Sequence, residues 1–117
     1  MTHQIDGHIE HKDKSYRCEC KWKKDKVSYD EMLKFSDKID AVGVSGLFIS
    51  ISGFSDAAIN KSKELRSQKA IILIDGNDVE LVMTGSIHFD DLLNAKRRAF
   101  DSMSETYYPI RVSLGDG

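Results

Sequence analysis

The sequence has little proline, little cysteine and no long apolar run. Among its 117 residues there is one proline, so no proline-rich linker divides the chain. No stretch reaches the roughly 18 apolar residues that a membrane-spanning helix needs. Residues 1–10 are polar and lack the apolar centre of a secretion signal. These absences predict a single cytoplasmic domain spanning residues 1–117.

Neither sign of charge predominates in the chain. Seventeen Lys and Arg residues against nineteen Asp and Glu residues give a formal net charge of −2. Nucleic-acid-binding domains usually carry a clear basic excess, which the whole chain lacks. Basic residues do exceed acidic ones locally, over residues 12–26. Within that stretch Lys23, Lys24 and Lys26 are either a solvated charged turn or contacts to phosphate groups.

Two cysteines, Cys18 and Cys20, are separated by a single residue. On a strand both side chains point to the same face, and neighbours this close do not close a useful disulfide loop. We expect reduced thiols that pack as small core residues. Closed zinc sites favour two to four residues between cysteines, so we do not expect this pair to bind zinc.

Hydrophobic alternation predicts a hairpin at the start of the chain. Residues 5–11 and 14–22 have the pattern of two strands, and the charged pair at 12–13 favours a two-residue turn. In the second strand alternate residues form an apolar face and a charged face. The apolar face comprises Tyr16, Cys18, Cys20 and Trp22, and the charged face comprises Arg17, Glu19, Lys21 and Lys23. We expect Trp22 to lie in the core.

The rest of the chain alternates helices with buried strands. Ser28 and Glu31 have the spacing of a capping box, which predicts a helix over residues 29–39. The remaining pattern predicts a strand over 44–52, a helix over 56–67, a strand over 70–74, a helix over 78–84 and a helix over 89–103. Ser55 caps the second helix, or else contributes to a phosphate site. The segment 78–84 also alternates like a strand at Val79, Leu81 and Met83; if it forms the helix, Asp78 caps that helix and Gly85 ends it. This order predicts an α/β fold with a mixed sheet and helices on both faces.

Three residues of the hairpin indicate chemistry. A two-residue turn at 12–13 places Asp6 directly opposite Glu19, with their Cβ atoms about 4.5–5.5 Å apart. Opposed carboxylates repel each other, so one of them binds a proton or a cation lies between them. Carboxylates and water are the ligands that Mg²⁺ prefers, and Lys21 lies one step further on the same face. The alternative is a solvated sheet face with a cross-strand salt bridge from Lys21.

These motifs together resemble the PD-(D/E)xK nuclease superfamily, and within it the Mrr-like restriction endonuclease branch. The matching segments are Ile5-Asp6-Gly7, Glu19-Cys20-Lys21-Trp22, Val27-Ser28, Phe48-Ile49-Ser50-Ile51-Ser52-Gly53-Phe54-Ser55 and Ile74-Asp75-Gly76. The resemblance implies a restriction-endonuclease-like fold and a DNA endonuclease of prokaryotic defence or restriction. It implies Mg²⁺, with Mn²⁺ as a substitute, bound by Asp6, Glu19 and the backbone carbonyl of Cys20. It also implies that Lys21 is the catalytic lysine.

The sequence departs from that family in two respects. The family's first helix and strand precede the aspartate, and we expect neither here, since only five residues precede Asp6 in this sequence. The overall charge is also not basic. We therefore expect a nuclease domain of a larger protein, working as a homodimer or with a fused or partner DNA-recognition or sensor domain. The alternative is a catalytically inactive nuclease-like domain that binds nucleic acid or mediates assembly.

Overall fold

The computed structural model describes the backbone of residues 4–110 and the side chains of residues 7–110. Its elements are β1 (Gln4–His11), β2 (Lys14–Lys21), α1 (Tyr29–Lys38), β3 (Val44–Ser50), α2 (Asp56–Glu64), β4 (Ile71–Ile74), α3 (Gly76–Met83) and α4 (Phe89–Met103). Over these residues no helix has both the length and the apolar character that crossing a membrane requires.

The strands form one mixed sheet in the order β1-β2-β3-β4. β1 and β2 are antiparallel, whereas β2, β3 and β4 run parallel to one another. The predicted two-residue turn is confirmed: Lys12 and Asp13 both have positive φ, at 49° and 66°, as a type I′ turn requires. The turn fixes the ladder, so Asp6 pairs with Glu19 as predicted.

Helices cover both faces of the sheet, which confirms the predicted α/β architecture. α1 and α2 pack on one face over a core of Val27, Met32, Phe35, Ile39, Phe48, Phe54, Ala58, Ile71 and Leu73. α4, with part of α3, packs on the other face over Tyr16, Cys18, Leu47, Ile72, Ile74, Leu92 and Leu93. β3 and β4 contribute to both cores because alternate residues of a strand point to opposite faces.

α1 lies close against β3. The predicted capping box is present, since the Ser28 hydroxyl accepts from the backbone of Glu31 and the Glu31 side chain accepts from the backbone of Ser28. A Cβ atom on Gly46 of β3 would collide with the Ile39 side chain and lie 2.9 Å from the Phe35 ring. Glycine at this position therefore permits the close approach that brings α1 over the sheet.

Several predicted details are wrong. Asp75, not Asp78, is the N-cap of α3; Asp78 is the third helical residue, and its carboxylate accepts from the Asp75 backbone. A carboxylate at that third position completes the reciprocal pair, and the helix begins at Gly76, two residues earlier than predicted. Trp22 is not in the core but 46% exposed, because β2 ends at Lys21 and the chain leaves the sheet there. Gly85 follows the C-cap of α3 with φ of 77°, as predicted.

Two other elements are shorter than their patterns predicted. β3 ends at Ser50 rather than residue 52, because the chain turns at Gly53, whose φ is 87°. α2 ends at Glu64 rather than residue 67, and Leu65 is its C-cap. Both differences lie at element ends, where capping and turn geometry outweigh hydrophobic periodicity.

A buried lysine joins α4 to the sheet and to α3. Lys96 is 1% exposed, and its ammonium group lies 2.7 Å from Asp78 Oδ2. The same group donates to the backbone carbonyls of Leu73 and Tyr108, each at 2.9 Å. Burial raises the pKa of Asp78, whereas the Lys96 charge opposes that shift. These contacts hold the chain after α4 against the end of β4.

Candidate active site

Glu19 and Lys21 lie on β2 with their side chains on the face that α1 covers. The two residues are 4% and 3% exposed, respectively. The alternative of a solvated charged face is therefore wrong for this pair. A buried charge is costly unless an opposite charge or hydrogen bonds compensate it, and each of the two has such a partner on α1.

Lys38, the last residue of α1, is the partner of Glu19. Its Nζ lies 2.9 Å from Glu19 Oε1. The Glu19 side chain is 6% exposed, whereas the Lys38 side chain is 35% exposed. The lysine therefore reaches a buried carboxylate from the surface of the molecule.

Glu31, in the first turn of α1, is the partner of Lys21. Its Oε2 forms an ion pair with the Lys21 ammonium group, while its Oε1 accepts from the Ser28 backbone at 2.9 Å. Burial lowers the pKa of Lys21 from its ordinary value, the Lys23 charge acts in the same direction, and Glu19 opposes both. Glu31 thus both caps the helix and neutralises the buried ammonium group.

The sequence predicted Glu31 only as a capping residue, and neither Glu31 nor Lys38 was among the predicted site residues. A signal for them does exist: positions 31, 35 and 38 share one face of a helix, and Phe35 between the two charges is fully buried. Charges that flank a core position on the same helix face point towards whatever the helix covers. Here the helix covers the charged side of β2.

Asp6 is paired with Glu19 in the ladder, and Ile5 with Cys20. The Asp6 side chain lies outside the described side chains, so its direction and contacts stay a prediction. Among the described residues no group of three or more His, Cys, Asp and Glu side chains could hold a metal ion. The Glu19 carboxylate and the Cys20 carbonyl follow each other on β2. Both groups are hard oxygen donors of the kind that Mg²⁺ prefers. The buried Glu19 carboxylate also requires a positive charge beside it, so the two groups fit Mg²⁺.

Neither cysteine forms a disulfide within the described chain. Cys18 is buried, and Cys20 is half-buried at the end of β2. Burial, together with the neighbouring Cys20, raises the pKa of the Cys18 thiol to about 11. Cys18 therefore packs as the small core residue that the sequence predicted.

The predicted phosphate contacts lie on the loop after β2 and at the start of α2. Lys23, Lys24 and Lys26 are all exposed. The loop is hydrogen-bonded to the turn after β3, since Val27 N donates to Gly53 O at 3.0 Å. The Ser55 hydroxyl accepts from Ala58 N at 3.1 Å and therefore acts as the predicted N-cap.

An open cavity of about 640 Å³ lies at the carboxyl ends of β3 and β4. Lys26, Ser52 and Tyr107 line it, together with Asp75, whose carboxylate accepts a hydrogen bond from the Tyr107 hydroxyl. Glu19 and Lys21 are not part of its lining. The cavity is nevertheless adjacent to the end of β2, since Ile51, another lining residue, donates its backbone N–H to the Lys21 carbonyl.

A comparison with protein families assigns the chain. The family model described as restriction endonuclease, of the Mrr catalytic type, matches residues 2–83. The match includes both strands of the hairpin, the helix that covers them, and the following elements as far as α3. No curated protein and no solved structure matches the chain. The chain belongs to the Mrr-like restriction endonuclease family.

Proposed function

We propose that this domain is a Mg²⁺-dependent endonuclease that hydrolyses DNA phosphodiester bonds. The observation that carries the proposal is the burial of Glu19 and Lys21 on one face of β2, directly beside the position of Asp6 in the ladder. A carboxylate and an ammonium group are costly to bury, so their retention at adjacent positions of one sheet face favours a chemical role. Membership of the restriction endonuclease family supports the same reaction class.

Each residue has a defined part in the proposed site. Asp6, Glu19 and the Cys20 carbonyl supply oxygen ligands for Mg²⁺, and Mn²⁺ is a substitute. When bound, the ion supplies Lewis acidity to a phosphoryl oxygen and acidifies a water molecule. Lys21 presents its ammonium group to the scissile phosphate and neutralises negative charge that develops there. Glu31 holds that ammonium group in place.

The exposed lysines after β2 hold the DNA backbone. Lys23, Lys24 and Lys26 follow the catalytic strand directly, and the Ser55 N-cap lies beside the same loop. Contacts of lysine to phosphate position a duplex without reading its sequence. We therefore propose that recognition comes from a second copy or from a fused or partner DNA-recognition or sensor domain. The setting would be cytoplasmic restriction or defence in a prokaryote.

Plasmid cleavage in Mg²⁺ tests the site. Lys21→Met retains an apolar stem in the buried position but removes the ammonium group, and it should lower the cleavage rate on the order of 100-fold or more. Lys34→Met removes a charge from an exposed position of α1 and serves as the matched control. Circular dichroism checks that both variants fold. Cleavage by Lys21→Met at the wild-type rate would dismiss the assigned site.

One observation favours a second function, a domain that binds nucleic acid or mediates assembly without cutting. Both Glu19 and Lys21 already have opposite charges from α1 beside them, as a purely structural ion-pair layer would have. This reading predicts DNA binding that weakens steeply with salt and no cleavage in either Mg²⁺ or Mn²⁺. Cleavage that depends on Lys21 excludes it.

A further inference from the structure

The carboxylate that the proposed function assigns to a metal ion already has a cation beside it. Lys38 Nζ lies 2.9 Å from Glu19 Oε1, within the range of a charge-assisted hydrogen bond. An ammonium group at this distance takes up lone-pair directions that a metal ion would also use. A divalent ion at Glu19 would therefore compete with Lys38 for the same carboxylate.

The side chains of Glu19 and Lys38 differ in how freely each can move away from the contact. Glu19 is fixed on a strand between β1 and β3, and its side chain is 6% exposed. The Lys38 side chain is 35% exposed and belongs to the last turn of α1. Its ammonium group can withdraw into water and stay near the helix C-terminus, where the helix dipole favours a positive charge. Of the two side chains, the lysine is therefore the one with room to move away from the contact.

Building on the proposed function, we propose that Lys38 is an internal counter-ion that holds Glu19 in the metal-free domain and is displaced when a divalent cation binds. A buried carboxylate left without a positive charge is strongly unfavourable, so the lysine keeps the empty site folded. The same contact must be broken before the metal binds. Lys38 thereby weakens the affinity of the site for metal, and α1 sets the metal concentration at which the domain is loaded.

Metal binding by the full chain tests this directly, with isothermal titration calorimetry and Mn²⁺ as the probe at fixed ionic strength. Lys38→Gln removes the competing charge and should tighten Mn²⁺ binding roughly tenfold or more. Lys34→Gln removes an exposed charge from the same helix and should change the affinity by less than about threefold. Lys38→Arg keeps a charge that forms a forked contact with carboxylates, and it should not tighten binding. Glu19→Gln should abolish it.

Thermal melting gives a second measurement that does not depend on activity. Lys38→Gln leaves Glu19 without its partner, so the metal-free variant should melt below the wild type. Mn²⁺ restores the missing charge, and the rise in melting temperature should therefore be larger for Lys38→Gln than for the wild type at the same concentration.

The outcomes separate this proposal from the proposed function. If Glu19→Gln abolishes Mn²⁺ binding but Lys38→Gln binds no more tightly than the wild type, Lys38 is not a competitor and the metal site stands. If Lys38→Gln and Lys34→Gln tighten Mn²⁺ binding equally, the effect comes from the loss of any positive charge on α1, and the specific role of Lys38 is refuted. If neither the wild type nor Lys38→Gln binds Mn²⁺, both proposals are wrong.

Discussion

The substitution Glu31→Gln separates the two contacts that this residue makes. One carboxylate oxygen accepts from the Ser28 backbone and caps α1, and the other pairs with Lys21. Glutamine keeps an amide oxygen for the backbone N–H but removes the negative charge that faces Lys21. The capping contact is therefore retained while the buried ammonium group loses its compensation.

The expected cost follows from the burial of the two partners. Lys21 is 3% exposed, whereas the Glu31 side chain is 29% exposed. Breaking a fully buried pair costs about 3–5 kcal/mol, and exposed pairs contribute about 0–1 kcal/mol. Because one partner is buried and the other partly solvated, we expect Glu31→Gln to lower the free energy of unfolding by about 2–3 kcal/mol.

Urea unfolding at neutral pH measures this loss. Asp30→Asn is the matched control, since Asp30 is an exposed acid in the same first turn of α1. Removing the negative charge of Asp30 removes only its favourable interaction with the helix dipole, which contributes about 0.3–1 kcal/mol. The double variant Lys21→Met/Glu31→Gln lacks both charges. Its loss in free energy of unfolding should be smaller than the losses of the two single variants added together. Equal losses for Glu31→Gln and Asp30→Asn would refute the ion-pair argument.

Two further predictions concern buried groups on the opposite face of the sheet. Lys96→Met leaves Asp78 buried without its cation and should lower the free energy of unfolding by about 3–5 kcal/mol. The control Arg98→Met, at an exposed position of α4, should lower it by less than about 0.5 kcal/mol. Similar urea midpoints for the two variants would contradict the buried pair. Because burial is the main cause that raises the pKa of Cys18, its thiol should resist iodoacetamide at pH 8 in a folded Cys20→Ala protein. It should react readily once urea unfolds the chain. Mass spectrometry follows the alkylation, and rapid labelling of the folded protein would contradict the assigned burial.

The hairpin and the first helix were predictable because their signals are local. A two-residue turn flanked by alternating strands has a single register, so the pairing of Asp6 with Glu19 follows from the turn alone. The capping box at Ser28 likewise depends on residues three apart in the chain. The parallel order of β2, β3 and β4 follows from the alternation of strands and helices.

The start of α3 and the exposure of Trp22 were not predictable in the same way. Asp75 and Asp78 are both good N-cap residues, and only the formed helix shows which one accepts and which one reciprocates. Tryptophan after an alternating strand has the pattern of a core residue. Its exposure follows from where the strand leaves the sheet. There the Lys21 carbonyl accepts from Ile51 N in the turn after β3, a contact that the pattern of the strand does not show.

The sequence by itself determined that a carboxylate and a lysine share one face of the second strand, because side chains two residues apart on a strand point the same way. Only the tertiary structure decided that this face is buried, and that Glu31 and Lys38 of α1 balance its charges. The physical reason is that the contact joins a helix and a strand. The pattern of α1 indicates only that Glu31 and Lys38 lie on its covered face; which residues of β2 they meet depends on the close packing that Gly46 permits.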